Sequence, residues 1–225
     1  MTTLYLIRHG TTDSNLQGKF QGCIDIPLNR RGLSQAEYLG KRFAAVPIEV
    51  VYASQLIRAR KTAEAVAAPH GLPVLIDPQL AEINLGEMEG KTSAENAKIF
   101  PDAIRTLAED PAAFAAPGGE SSRQVYDRIR KAIARIVEEN AGKTIAVVSH
   151  GFSIQTYLHY ASGKAFEKLE KLIVGNTAVC CFQFEDPEKP KIVFLNDQSH
   201  LPQELRFDLA AEPGPGAAAG IDSCR

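Results

Sequence analysis

Two short apolar runs in this chain each end in a histidine followed by a glycine: Leu4-Tyr5-Leu6-Ile7-Arg8-His9-Gly10 and Ile145-Ala146-Val147-Val148-Ser149-His150-Gly151. If both runs are strands of one parallel sheet, their carboxyl ends share the edge where open α/β sheets bind ligands, and both imidazoles face a common site. Each glycine permits a sharp turn and lets backbone N–H groups approach a ligand. A third apolar run, Val50–Ala53, leads into Ser54-Gln55-Leu56-Ile57-Arg58, which puts a guanidinium one turn into the following helix. Arg8 and Arg58 then grip an anion bidentately, with helix N-termini adding partial positive charge. Singly, a strand-end histidine is ordinarily a hydrogen-bonded structural residue, and Arg58 a surface helix residue. Three strand ends delivering cations to one edge make a phosphate-type anion site.

The elements that must position these residues alternate along the chain. Leu4–Ile7, Val50–Ala53, Pro73–Ile76 and Thr144–Val148 read as buried strands, and Val174–Phe184 with Lys191–Leu195 as late paired strands. Ser34-Gln35-Ala36-Glu37 has the form of a capping box, predicting a helix with Ala36, Leu39 and Phe43 on one face. A second helical pattern runs through Leu56, Ala59, Ala63 and Val66. A third covers Ser122–Asn140, with Val125, Ile129, Ile133, Ile136 and Val137 at spacings of three and four and Gly142 as its stop. Alternating strands and helices predict an α/β fold, a three-layer sandwich with a mostly parallel central sheet and helices on both faces. Residues 1–210 form one domain; residues 211–225, rich in Gly, Pro and Ala, read as a flexible tail without function.

Composition excludes several classes. The 225 residues carry a formal charge of −2, without the basic excess of a nucleic-acid binder. No apolar run approaches the roughly 20 residues of a membrane span. The start lacks the basic and long apolar regions of a signal peptide, so the chain reads as cytoplasmic. Cys23, Cys180, Cys181 and Cys224 form no C-x-x-C pair and no zinc-type spacing, and Cys180 and Cys181 point to opposite faces of a strand. The charge is unevenly spread: residues 1–62 hold nine Lys or Arg against four Asp or Glu, a balance of +5, and the rest balance to −7. The positive portion contains Arg8, His9 and Arg58, a local field suited to one small phosphorylated metabolite. No coiled-coil pattern or other interface signature indicates an oligomeric state.

Arg8-His9-Gly10 after an N-terminal strand resembles the signature of the histidine phosphatase superfamily, the phosphoglycerate mutase-like enzymes. Supporting blocks follow in order over about 200 residues: Thr12-x-x-Asn15 with Gln21-Gly22; Pro27-Leu28-x-x-x-Gly32; Ser54-x-Leu-x-Arg58-Ala59-x-x-Thr62-Ala63; Leu80-x-Glu82-Ile83-x-x-Gly86-x-x-Glu89-Gly90; Gly118-Gly119-Glu120-Ser121; and Ser149-His150-Gly151. The resemblance implies that His9 is the nucleophile, accepting the phosphoryl group on a ring nitrogen. That step needs a neutral imidazole, which the positive field of Arg8 and Arg58 favours. Arg8, Arg58 and His150 would stabilise the equatorial oxygens of the transferring group. Glu82 is implied as proton donor to the leaving alkoxide and then as base for the water that hydrolyses the phosphohistidine. Gly10, Thr12, Asn15, Gln21, Gly22, Arg60 and Gly151 are the implied substrate-binding positions. No cofactor and no metal are implied.

Departures from the family pattern bear on specificity. Thr11 stands where many relatives have Glu, Gln55 where Asp or Pro is common, and Arg60, an extra substrate contact in some relatives, points away from Arg58 on a helix. A metal reading would recruit His9, His150 and Glu82 with His70, His159 or His200, but no H-x-H, H-x-x-x-H or clustered carboxylates support it. His70 reads as turn chemistry, His159 as helical and His200 as a structural hydrogen bonder.

The segment near 83–117 matches the family's lid and is short here. The bisphosphoglycerate-dependent mutases carry a longer insertion that excludes water, so net phosphomonoester hydrolysis is expected over isomerisation. The alternatives are a mutase-type isomerase, a ribazole-phosphate or sugar-bisphosphate phosphatase specifically, and a catalytically dead anion-binding scaffold. Such scaffolds usually lose the nucleophile or its partners, and here all five catalytic residues are present.

Overall fold

Strands β1 (Thr2–Arg8), β2 (Val50–Ala53), β3 (Val74–Ile76), β4 (Thr144–Ser149), β5 (Val179–Phe184) and β6 (Lys191–Asp197) form one sheet in the order β3-β2-β4-β1-β5-β6. The first four in that order run parallel; β5 and β6 are antiparallel to their neighbours. The computed structural model describes residues 1–170 and 172–206, so the predicted 211–225 tail and Cys224 lie outside the described residues. Helices α1 (Asp13–Leu16), α2 (Arg30–Phe43), α3 (Ile57–Ala67), α4 (Ser93–Ile99), α5 (Pro101–Glu109), α6 (Ser122–Glu139) and α7 (Gly151–Ala161) join the strands.

Both sheet faces are covered, which is why the central strands are continuous apolar runs rather than alternating ones. Leu4 and Leu6 of β1, Ile145 and Val147 of β4, and Cys180 and Phe182 of β5 meet Ile129, Ile133 and Ile136 of α6 and Ile154 and Tyr157 of α7. On the other face Ile7, Val51, Ala53, Ala146 and Val148 meet Leu39 and Phe43 of α2 and Ala59, Ala63 and Val66 of α3. This is the expected three-layer α/β arrangement. A third apolar cluster, with Phe20, Ile83, Leu85, Met88, Phe114 and Val125 buried, binds the 83–117 segment to the body; Ile104 and Leu107 of α5 pack against it.

Three elements differ from expectation. α2 begins at Arg30 with Asn29 as its cap, whose side chain accepts from the Gly32 N–H, so Ser34 lies inside the helix and caps nothing. Gly32, a poor helix former, lies in the first turn of α2 as a glycine for packing. A Cβ there would lie 2.1 Å from the Thr11 carbonyl oxygen, and one on Gly10 would lie 2.7 Å from the Gly32 carbonyl oxygen. β5 starts at Val179, not Val174, because the buried stretch before it turns through Thr177 (φ 54°) to bond the end of β1. α3 starts at Ile57, so Arg58 is its second residue rather than one turn in; Asp25 accepts from the Ile57 N–H at 2.6 Å, replacing a local cap.

Candidate active site

The register of the central strands brings the two histidines together. β1 pairs with β4 up to Arg8 opposite Ser149, and the His9 N–H donates to the Ser149 carbonyl at 3.0 Å. His9 and His150 therefore leave adjacent strands at one level, with ring centroids 5.1 Å apart. Both are buried, at 2% and 0% exposure.

The His9 ring is oriented by its own neighbour. Nδ1 lies 2.7 Å from the Gly10 carbonyl oxygen, which can only accept, so Nδ1 carries the proton. Burial, then Arg58, then Arg8 hold the His9 pKa well below the usual histidine value. A neutral ring protonated at Nδ1 leaves the Nε2 lone pair for attack. The backbone behind it is tied down: the Gly10 N–H donates to Thr62 Oγ1 at 3.0 Å and Asn176 Nδ2 donates to the His9 carbonyl at 2.9 Å. His150 is held neutral by burial first, then by Arg58 and by His9. Neither of its ring nitrogens has a hydrogen-bond partner among the described residues.

Arg58 is fully buried, which a guanidinium tolerates only when its donors are used. Nη1 donates to the Ile24 carbonyl and Nη2 to the Gly22 carbonyl, each at 2.8 Å, while Nε has no partner among the described residues. Burial is the larger influence on Arg58 and lowers its pKa, opposed by the carboxylates of Glu82 and Asp25. Arg8 is half-buried and its Nη1 donates to the Val174 carbonyl at 2.5 Å.

Glu82 stands at the amino end of α7. Its carboxylate accepts from the Phe152 and Ser153 N–H groups, each at 3.2 Å, and from its own neighbour Ile83 at 3.1 Å. Helix N-termini offer such unsatisfied N–H groups. Gly151 lies between the two charged groups: a Cβ there would meet Arg8 Nε at 3.5 Å and Glu82 Oε2 at 3.7 Å, ordinary contact distances.

The remaining sequence-predicted positions divide. Asn15 and Gln21 join the network, since the Thr12 hydroxyl lies 2.8 Å from Gln21 Oε1 and Asn176 Nδ2 lies 3.5 Å from Asn15 Oδ1. Thr12 itself is fully buried and caps α1, accepting from the Asn15 N–H at 3.2 Å. Gly22 supplies a carbonyl to Arg58. Arg60 is exposed, about 200° round α3 from Arg58, and its side chain makes no hydrogen bond or ion pair among the described residues. Thr11 is buried, with its N–H and hydroxyl both donating to Gln35 Oε1 at 2.9 Å.

His70, His159 and His200 serve the scaffold. Their ring nitrogens meet the Phe43 carbonyl at 3.0 Å, the Ala165 carbonyl at 2.8 Å and Arg42 Nη1 at 3.3 Å. Among the described residues no group of three or more His, Cys, Asp or Glu is placed to hold a metal ion, and no helix is long and apolar enough to cross a membrane.

Sequence reasoning missed Asn176, which bonds the His9 carbonyl, and Ser149 and Ser153, whose hydroxyls donate to the Leu80 and Ala81 carbonyls at 2.7 and 2.6 Å. Ser149 and Ser153 flank His150 in sequence, a signal available from the start; Asn176 carried none.

Paired imidazoles and guanidiniums on one sheet edge, faced by a carboxylate on a helix N-terminus, define an α/β protein with a concentrated positive site. The chain belongs to the histidine phosphatase superfamily (branch 1), whose profile matches residues 4–198. It is 38% identical over 201 residues to phosphoglycerate mutase-like protein 4 of Arabidopsis thaliana, covering 88% of this chain and 86% of that one. It is 32% identical to the uncharacterized phosphatase PhoE of Bacillus subtilis, covering 89% of this chain and 97% of that one. A solved phosphoserine phosphatase from Entamoeba histolytica, in complex with phosphoserine, superposes with a TM-score of 0.80 at 30% identity, covering 90% of this chain and all of that one.

Proposed function

We propose that this protein is a metal-independent phosphomonoesterase that hydrolyses small phosphorylated metabolites through a phosphohistidine on His9. The observation that carries this reading is the His9 ring, neutral and pinned through Nδ1 to the Gly10 carbonyl, with Nε2 left as the nucleophile. In the first step an Nε2–P bond forms as the ester P–O bond breaks, and the Glu82 proton passes to the departing oxygen. In the second, water attacks phosphorus, the Nε2–P bond breaks, inorganic phosphate leaves and Glu82 takes up the proton of the attacking water. Arg58, Arg8 and His150 bear on the charge of the equatorial oxygens; the Arg58 Nε and both His150 ring nitrogens have no partner among the described residues.

Hydrolysis is favoured over isomerisation by the compact 83–117 segment, which holds the short helices α4 and α5 and a 3-10 turn at Gly86–Met88. The phosphatase names among the relatives support a small phosphorylated metabolite as the substrate class. The test is phosphate release from a panel of phosphomonoesters, including phosphoserine, sugar bisphosphates and ribazole phosphate, with and without chelator. Release insensitive to chelator is expected. Activity lost to chelator would overturn the metal-free mechanism, and activity dependent on a bisphosphorylated sugar-acid primer with little phosphate release would favour the isomerase.

A further inference from the structure

We propose that Arg128 is the positioning residue for the proton donor: from α6 it clamps the backbone turn that carries Glu82, and so sets where the Glu82 carboxyl stands. The proposal rests on the reading of Glu82 as the general acid.

Arg128 commits all five of its N–H groups to this task. Nη1 donates to the carbonyls of Gln79 and Ala81, each at 2.8 Å, and Nη2 to the Glu82 carbonyl at 3.0 Å. Nε and Nη2 also hold Glu120 bidentately, at 2.8 and 3.1 Å, in a pair with side-chain exposures of only 14% and 25%. Glu120 completes the clamp from the far side of the turn, where Oε2 accepts from the Asn84 N–H at 2.9 Å. One ion pair thus brackets Glu82, fixing carbonyls before and at it and the N–H two residues after it.

The Glu82 carbonyl is drawn toward α6 while its carboxylate meets the Phe152 and Ser153 N–H groups of α7. The residue is therefore held between two helices, and rotation of the turn would carry the carboxyl off the amino end of α7. Only arginine meets this demand. Three carbonyls and a carboxylate need donors in a planar fork, whereas lysine offers three from a single point.

Leaving-group chemistry separates positioning from simple stability. p-Nitrophenolate departs without a proton; phenolate departs less readily and gains from the acid. The measured quantity is kcat/KM, which reports the phosphoryl transfer to His9, for p-nitrophenyl phosphate and phenyl phosphate in the wild type, Glu82→Gln, Arg128→Lys and Glu120→Gln. Glu82→Gln should lose about a hundredfold on phenyl phosphate and far less on p-nitrophenyl phosphate. Arg128→Lys should lose about tenfold in the same selective way, as a small misplacement of a catalytic group does, with inhibition by inorganic phosphate unchanged. A uniform loss on both esters, or a wild-type ratio, would overturn the proposal. If Arg128→Lys fails to fold, Glu120→Gln decides: it keeps the three carbonyl bonds, loosens the anchor and should lose a few-fold on phenyl phosphate alone. If Glu82→Gln itself leaves the ratio unchanged, the acid assignment has failed and this proposal falls with it; a selective Glu82→Gln beside unselective Arg128→Lys refutes the clamp alone.

Discussion

His9 Nδ1 lies 2.7 Å from the carbonyl oxygen of Gly10, the residue that follows it. This contact settles the tautomer of the buried ring, because a carbonyl cannot donate. It also makes the orientation of His9 a property of the backbone rather than of a distant partner. The backbone is held in turn by Thr62 and Asn176.

Replacing His9 by Ala should remove turnover by at least about a thousandfold, since a nucleophile has no substitute in the site. Rapid quenching of the wild type with labelled substrate should trap a phosphoenzyme that is labile in acid and stable in alkali. A His9→Ala protein retaining substantial kcat would show that another group attacks phosphorus.

Burial holds His9 and His150 neutral in the folded protein, with both pKa values well below 6.5. In the unfolded chain the same rings titrate near 6.5. As pH falls below about 6.5 the unfolded state binds protons that the folded state refuses, so stability must fall. Each fully buried ring adds about 1.4 kcal/mol per pH unit across this window. His200, pushed down to about 4 by burial and by Arg42, acts in the same direction. Thermal melts should show Tm dropping as pH is lowered from about 7 to about 5, with a shallower slope in His150→Asn. A slope unchanged by that substitution would mean that His150 is protonated in the folded protein.

Arg58 joins structure to reactivity. Arg58→Met leaves the Gly22 and Ile24 carbonyls without their donors, at a cost of about 3 kcal/mol in urea denaturation. It also removes a charge that depresses the His9 pKa. The acid limb of kcat/KM should therefore move to higher pH, because His9 then takes up a proton more easily. Arg58→Lys, which keeps the charge, should leave that limb closer to its original position while still losing stability. A limb that stays put in Arg58→Met would remove Arg58 from the electrostatics of His9.

Much of this site was legible because its chemistry sits where apolar runs stop. Arg8, His9 and His150 follow β-branched or leucine-rich stretches that can only be buried strands, and the shared edge follows from parallel pairing. Glu82 was legible only through the family resemblance, since a single carboxylate in an irregular loop has no period to mark it. Arg128 was hidden for the opposite reason. It lies on the strongly amphipathic α6 among Arg123, Arg130, Lys131 and Arg135, and spacing alone assigns all five to solvent. Which cation turns inward depends on the carbonyls of a turn some 46 residues away in sequence. The start of α2 was hidden by the same kind of distant demand: Gly32, a poor helix former, sits in its first turn because only a glycine fits against Thr11.

Gly22 tests how far the Arg58 cradle depends on backbone shape. Its φ of +49° is one that L side chains rarely adopt, and a Cβ there would lie 2.0 Å from Glu89 Oε1. That oxygen is not free to move, since it accepts from the Cys23 N–H at 2.7 Å and the Leu85 N–H at 3.1 Å. Gly71 is the control: its φ is +65°, and a Cβ there meets nothing within 4 Å. Gly71→Ala should therefore cost only the left-handed strain of about 1 kcal/mol and leave kcat/KM unchanged. Gly22→Ala adds a lost carboxylate bond to the same strain, about 3 kcal/mol in all, and displaces the carbonyl that holds Arg58. It should also lower kcat/KM by about tenfold, roughly the effect of a small misplacement of a group that stabilises the transition state. Equal losses of stability in the two variants, with activity intact in both, would mean that the Glu89 carboxylate yields and that the Arg58 guanidinium is held by the rest of its surroundings.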